Sequence, residues 1–281
     1  MIDFATRYSI IQTISILMGS HDGMEKVQLD DLVSWFDRYV EPYLVTDDEG
    51  VKNIRLKIEH TRKVCEVMAL LSGGEKLSEN ESRIALATAL LHDVGRFPQY
   101  RRWRTFRDSV SDNHARLAIE VIREENILDG LDQAEQLLIE EAVRFHNLLA
   151  PPARIQSPTR RYINLIRDAD KLDIWRVFVE LVKQAPEERA SAATLGLPDI
   201  PGLASGQCIA ALDSGSVVPL DTIDCFNDFK LLLISWVYDL TCATSRRVLR
   251  ERGYIPELAA TLPEQSDISE AVAKALAVIS A

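Results

Sequence analysis

Leu90-Leu91-His92-Asp93-Val94-Gly95-Arg96-Phe97 is the stretch on which the reading of this chain turns. A helix-like run, Ile84 to Leu91, brings a histidine and an aspartate side by side just before a glycine. Imidazole nitrogen and carboxylate oxygen are both good ligands for a divalent transition metal. Neighbouring residues on a helix diverge by about 100°, so both reach one ion only where the helix is ending. Gly95 is the expected stop. One His-Asp pair says little by itself, so the weight falls on whether other helices bring further ligands.

Outward from that pair, helical periodicity is nearly everywhere and strand signals are nearly absent, which predicts an all-α fold. Helices are expected over 3–18, 27–41 and 52–71. On the last of these His60 aligns with Leu56, Val64, Val67 and Leu71, one apolar face. Ser78-Glu79-Asn80-Glu81 reads as a capping box opening the helix that leads to His92. An irregular segment is expected from Arg96 to Ser111. Beyond it His114 leads Leu117, Ala118, Val121 and Ile122 at helical spacing. Asp132 and Glu135 cap a helix whose apolar face ends at His146, and Ser157-Pro158 is expected to open a long helix with proline at its first position. On that helix Asp170 shares a face with Ile163, Ile166, Ile174 and Val177. Residues 186–222 read mainly as loop, and 225–250 and 254–280 as closing helices.

The composition fits one ordinary globular chain: 281 residues, 47% hydrophobic and 27% charged. A net charge of −11 argues against general nucleic-acid or membrane-surface binding. The four cysteines, Cys65, Cys208, Cys225 and Cys242, lie far apart, as reduced thiols do in a cytoplasmic protein, and form no zinc-finger spacing. The apolar stretch Ile10–Met18 is interrupted by Gln12, Thr13 and Ser15 and lacks a basic leader, so it reads as a helix rather than a signal peptide. No run reaches the roughly 18–20 apolar residues of a membrane span. A cytoplasmic address and a single all-α domain over 1–281 follow as expectations.

Five places now stand out on separate helices: His60, His92 with Asp93, His114, His146 and Asp170. Four of the five histidines belong to this set, each on or at the end of an apolar stripe. Any one of them alone is an ordinary core histidine. Buried imidazoles and carboxylates without partners are costly, however, and six of them on apolar faces point to a shared ligand. His21-Asp22, a second such pair, sits among Gly19, Ser20 and Gly23 in a turn and reads as loop surface.

His60, His92-Asp93 and the Asp170 of Arg167-Asp168-Ala169-Asp170-Lys171-Leu172-Asp173 resemble the signature of the HD-domain superfamily of metal-dependent phosphohydrolases. His114 and His146 resemble the additions found in its two-metal branch. The resemblance spans about residues 50–180, with 186–281 as a helical extension, and implies an all-α core. It implies that His60, His92, Asp93 and Asp170 bind a first metal, and that Asp93 bridges to a second held by His114 and His146. Nitrogen and oxygen ligands without sulfur favour Mn, Fe, Ni, Co or Zn over Mg. Two such ions make a positively charged site that suits a phosphate and activates a water, without a Ser-His or Cys-His nucleophile.

Arg96 follows the pair directly, where related members carry a basic residue, and Lys171 adjoins Asp170. Two readings stand for each: a clamp on substrate anions beside Asp93 at the reacting centre, or a salt bridge to nearby acids. Arg96, Arg101, Arg102, Arg104 and Arg107 form a basic run in an acidic chain, with Phe97, Tyr100, Trp103 and Phe106 at every third position. That run reads either as a lid that stacks a base and holds phosphates or as aromatic anchors beneath solvated arginines. The expected partner is a small phosphorylated molecule, a nucleotide foremost, cleaved at an ester or anhydride. The ligand order also resembles a dinucleoside tetraphosphatase branch, while Phe145-His146-Asn147 lacks the paired histidines and Gly-Tyr-Pro of the cyclic-dinucleotide branch. The same six-ligand order resembles the di-iron oxygenases of the superfamily, which is the alternative. A module that only senses nucleotides would require an incomplete metal site.

Overall fold

The computed structural model describes residues 24–185, 188–190 and 196–280 of the chain. Among them every regular element is helical. The all-α expectation holds. The helix expected over 3–18 and the His21-Asp22 pair lie outside the described residues. The chain forms two compact units, the first ending at Asp170 and the second beginning at Lys171.

In the first unit α1 (Met24–Val40) leads through a 3-10 turn, Glu41–Leu44, to α2 (Asp48–Gly74). Asp47 caps α2 by accepting from Gly50 N. Then comes α3 (Glu79–Leu91), opened by the capping box expected at Ser78: its hydroxyl accepts from Glu81 N while Glu81 accepts from Ser78 N. From Ile84 to Leu91 every residue of α3 is buried. A helix apolar on all sides must be surrounded. α1, α2 and α6 (Gln133–Phe145) pack around it. The end of α3 therefore delivers the next two residues, His92 and Asp93, into the interior.

Gly95 does a different job from the one expected. α3 has already ended at Leu91, and Gly95 keeps right-handed helical angles as the residue before α4 (Arg96–Trp103). Its necessity is steric. A Cβ here would stand 2.2 Å from the His114 carbonyl oxygen and 2.4 Å from Ala118 N, on α5 (His114–Glu124). The missing side chain lets α5 press against the turn that carries Asp93.

The segment expected to be irregular after Gly95 is a helix for its first eight residues. Pro98 falls in its first turn, where a missing N–H costs nothing. The three-residue spacing of aromatics is the spacing of one helix face: Phe97 and Tyr100 are buried, as is Phe106 beyond the helix end. Arg104, in the left-handed region at φ 57°, terminates α4. The aromatics thus anchor, while Arg101 stacks on Tyr43 and Arg104 pairs with Asp47 at 2.6 Å. A 3-10 turn, Asp108–Val110, leads on to α5, capped by Asn113.

α7 (Thr159–Lys183) begins one residue after Pro158, so the proline precedes the helix rather than occupying its first position. Its residues up to Asp170 belong to the first unit. In the second unit α8 (Gly206–Asp213), α9 (Phe226–Ser235), α10 (Ala243–Arg252), α11 (Tyr254–Ala259) and α12 (Ser266–Ser280) follow. Every residue of α9 is buried, which makes it the axis of this unit. The helix expected over 225–250 is interrupted after Ser235, whose hydroxyl turns back to the Leu232 carbonyl and accepts from Val218 N. Gly253, at φ 68°, ends α10. The helix expected over 254–280 is split by the Thr261–Gln265 segment, where Pro263 has no N–H to offer.

Candidate metal centre

Five elements of the first unit converge on one buried cluster. α2 contributes His60, the turn after α3 contributes His92 and Asp93, α5 opens with His114, His146 follows α6, and α7 contributes Asp170. His60, His92, Asp93, His114 and His146 are each less than 5% exposed. Asp170 is the more open member, its side chain 21% exposed. All six residues singled out from sequence meet here.

The spacings are those of ligands around shared ions. His60 Nε2 lies 3.0 Å from Asp170 Oδ1 and 3.6 Å from Asp93 Oδ2. His92 Nε2 lies 3.7 Å from each of the same two oxygens. His114 Nε2 is 3.6 Å from Asp93 Oδ1 and 3.1 Å from His146 Nε2. Atoms that each sit about 2.0–2.2 Å from one ion stand roughly 3.0–3.6 Å apart. Three overlapping sets have ligand atoms within 4.8 Å of one another: His60-His92-Asp93, Asp93-His114-His146, and His92-His146-Asp170. Asp93 faces both of the first two with different oxygens. The third set joins them, a link that spacing along the chain did not suggest.

Tautomers can be assigned from the outer partners. The Nδ1 atoms of His92 and His146 lie 2.7 Å from the carbonyl oxygens of Ala89 and Val143. A carbonyl only accepts, so each Nδ1 carries the proton and each Nε2 presents a lone pair. His114 Nδ1 makes the same kind of bond to Asp108 Oδ2, also at 2.7 Å. The three lone pairs point into the cluster. His92 Nε2 is buried with no hydrogen-bond partner there, an orphaned atom that a cation would satisfy.

The electrostatics keep the cluster in its metal-ready protonation state. Burial, then the neighbouring His114 and His92, press His146 down to about 3. Burial also lowers His114, with the Arg96 charge behind it, against the raising effect of Asp108. Both imidazoles are neutral at physiological pH. Burial opposes ionisation of Asp93, yet the charges of Lys57 and Arg96 hold it well below the usual carboxylate range. Asp170 is likewise lowered against its burial, with the adjacent His60 the foremost cause. Neutral imidazoles and ionised carboxylates are the forms that ligate metal. The donor set fits.

Arg96 borders the cluster with its fork already engaged: Nη1 donates to Gln99 Oε1 (2.9 Å), the Phe106 carbonyl (2.6 Å) and Asp108 Oδ1 (2.9 Å). Its Nε lies 3.4 Å from Asp93 Oδ1. Lys171 pairs with Asp239 at 2.8 Å within the second unit. Two residues of the neighbourhood escaped the sequence reading. Lys57 Nζ is 2.8 Å from Asp93 Oδ2, and Asp108 gathers His114, Arg96, Gln99 and Asn147. Lys57 stands three residues before His60, hence on the same side of α2, and that spacing was the available signal. Asp108, in a short turn, had none.

Residues 58–175 match the family model of the HD domain. They form an HD domain. The resemblance seen in the spacing of histidines and aspartates is thereby borne out over that span. The matched span of this HD domain holds all six ligand candidates. Neither the curated proteins nor the solved structures compared with the chain include a match. Among the described residues no helix is long and apolar enough to cross a membrane.

Proposed function

We propose that the chain is a phosphohydrolase that cleaves a phosphate ester or anhydride of a small molecule, a nucleotide foremost, with two divalent ions. The observation that carries this reading is the double use of Asp93, whose Oδ2 faces His60 and His92 while its Oδ1 faces His114. His60, His92, Asp93 and Asp170 would hold one ion; Asp93, His114 and His146 would hold the other. When bound, such ions supply Lewis-acid activation of a water and neutralise charge on phosphoryl oxygens.

The chain's own residues do the rest. The carbonyls of Ala89 and Val143 and the carboxylate of Asp108 fix three imidazoles by their Nδ1 atoms. Burial excludes water from every ligand but Asp170, so an incoming substrate approaches on the Asp170 side. Lys57, half-buried, and Arg96 place two positive charges against Asp93 and thereby favour an anionic substrate. Arg96 contributes charge rather than an open fork, since Nη1 serves three acceptors within the protein. Lys171 would reach a substrate anion only by exchanging its ion pair with Asp239.

The test is phosphate release from a panel of nucleoside mono-, di- and triphosphates and dinucleoside polyphosphates, with Mn, Co, Ni or Zn. Release that depends on added metal and stops with chelator supports the proposal. Absence of release with every metal, together with oxygen consumption by the iron-loaded protein, would replace it by the oxygenase alternative.

A further inference from the structure

Asp108 lies outside the six-residue cluster, yet four side chains converge on it. Oδ2 accepts from His114 Nδ1 at 2.7 Å and from Asn147 Nδ2 at 3.3 Å. Oδ1 accepts from Arg96 Nη1 and Gln99 Nε2, both at 2.9 Å. The carboxylate thus divides its work, one oxygen toward the cluster and the other toward α4.

Gln99 shows how much of the local chain serves this arrangement. It is fully buried. Its Nε2 also donates to Ser111 Oγ (2.9 Å) and the Asp112 carbonyl (2.8 Å), and its Oε1 accepts from Arg96. One amide therefore ties α4 to both ends of the turn that carries Asp108. Burying so many polar groups is costly unless they are mutually satisfied, and here the network ends on an imidazole of the site.

The second half of the cluster needs such a device. His146 Nδ1 binds the Val143 carbonyl, so its Nε2 offers a lone pair 3.1 Å from His114 Nε2. Were His114 to carry its proton on Nε2, that N–H would point at His146 and the two rings would satisfy one another. An acceptor at Nδ1 prevents this by drawing the proton to the far side of the ring. Asp108 is that acceptor.

We propose that Asp108 is a positioning residue: it holds His114 in the Nδ1-protonated form with Nε2 presented toward Asp93 and His146, and Arg96 and Gln99 hold Asp108 for that task. The claim about the tautomer stands apart from the phosphohydrolase reading, since it concerns a proton within the protein. Its consequence for metal binding rests on that reading.

The test is nitrogen-15 NMR of the full-length, chelator-treated protein with labelled histidine, His114 being assigned by its loss in His114→Gln. The expected wild-type result is a protonated Nδ1 and an unprotonated Nε2 at His114. Asp108→Ala should remove that preference, and Asp108→Asn, which keeps an acceptor oxygen, should restore it. In a parallel manganese titration Asp108→Ala should weaken the ion shared by His114 and His146 by about 10–100-fold. The other ion should keep its affinity. A wild-type His114 protonated at Nε2 would overturn the proposal whether or not any variant folds. So would Asp108→Ala with unchanged nitrogen shifts. Correct tautomers in a protein that binds no metal would leave the positioning claim standing and sink the metal reading instead.

Discussion

His114 Nε2 and His146 Nε2 face one another at 3.1 Å, each on an imidazole whose Nδ1 proton is engaged elsewhere. Two neutral lone pairs at that distance repel unless a cation lies between them. Asp93 Oδ1, 3.6 Å from His114 Nε2, completes the donor set. The same carboxylate reaches His60 and His92 with its other oxygen, which makes Asp93 the pivot of the site.

His92→Ala and Asp93→Ala are each expected to abolish phosphate release, because both remove donors from the set around His60 and Asp170. A drop of at least about 100-fold is expected, the upper end of what even outer partners of a metal cost. Steady-state assays with saturating manganese check it, and full activity in either variant would remove the assignment.

Gly95→Ala should destabilise the first unit by about 1–3 kcal/mol or more, since the added carbon overlaps backbone rather than a flexible side chain. Denaturant unfolding of wild type and variant measures it. Equal midpoints would show that the turn and α5 separate easily.

Ser78→Ala removes the acceptor for Glu81 N at the start of α3. The expected loss is about 0.5–2 kcal/mol. The same unfolding curves give the value, and activity per folded molecule should stay unchanged because no ligand moves.

The second unit carries its own pH dependence. Burial opposes the charge on Asp228, but Ser205, Asp224 and Cys225 donate to it and lower its pKa below the ordinary carboxylate value. A carboxylate lowered in the folded state stabilises fully above its unfolded pKa, about 3.9. That stabilisation is lost as pH falls through the lower folded value. Thermal melting should therefore decline steeply in acid, and Asp228→Asn should be less stable at neutral pH with a flatter acid profile. Parallel profiles for the two proteins would contradict this.

The residues show which features a sequence reveals. His60, His92, His114 and His146 were legible because each interrupts an apolar stripe at helical spacing, and Ser78 because its capping partner stands three residues on. Lys57 was not, since a lysine on a partly exposed helix face is ordinary until a carboxylate of another helix is found against it. Asp108 depends on a turn whose shape is set by Gln99, a tertiary contact without local signal. The segment after Gly95 reads as irregular from its arginines and aromatics, yet its first eight residues are α4, with Pro98 in the tolerant first turn. Gly95 reads from sequence as a helix stop, whereas what requires a glycine there is the close approach of α5.

The most direct test of the central claim is the number of divalent ions bound per chain, measured by metal analysis after equilibration with manganese, in wild type and in His114→Ala. The account predicts about two ions in the wild type and about one in the variant, because His114 belongs to only one of the two donor sets that share Asp93. An unchanged count in the variant, or a wild type that binds no ion, would contradict it.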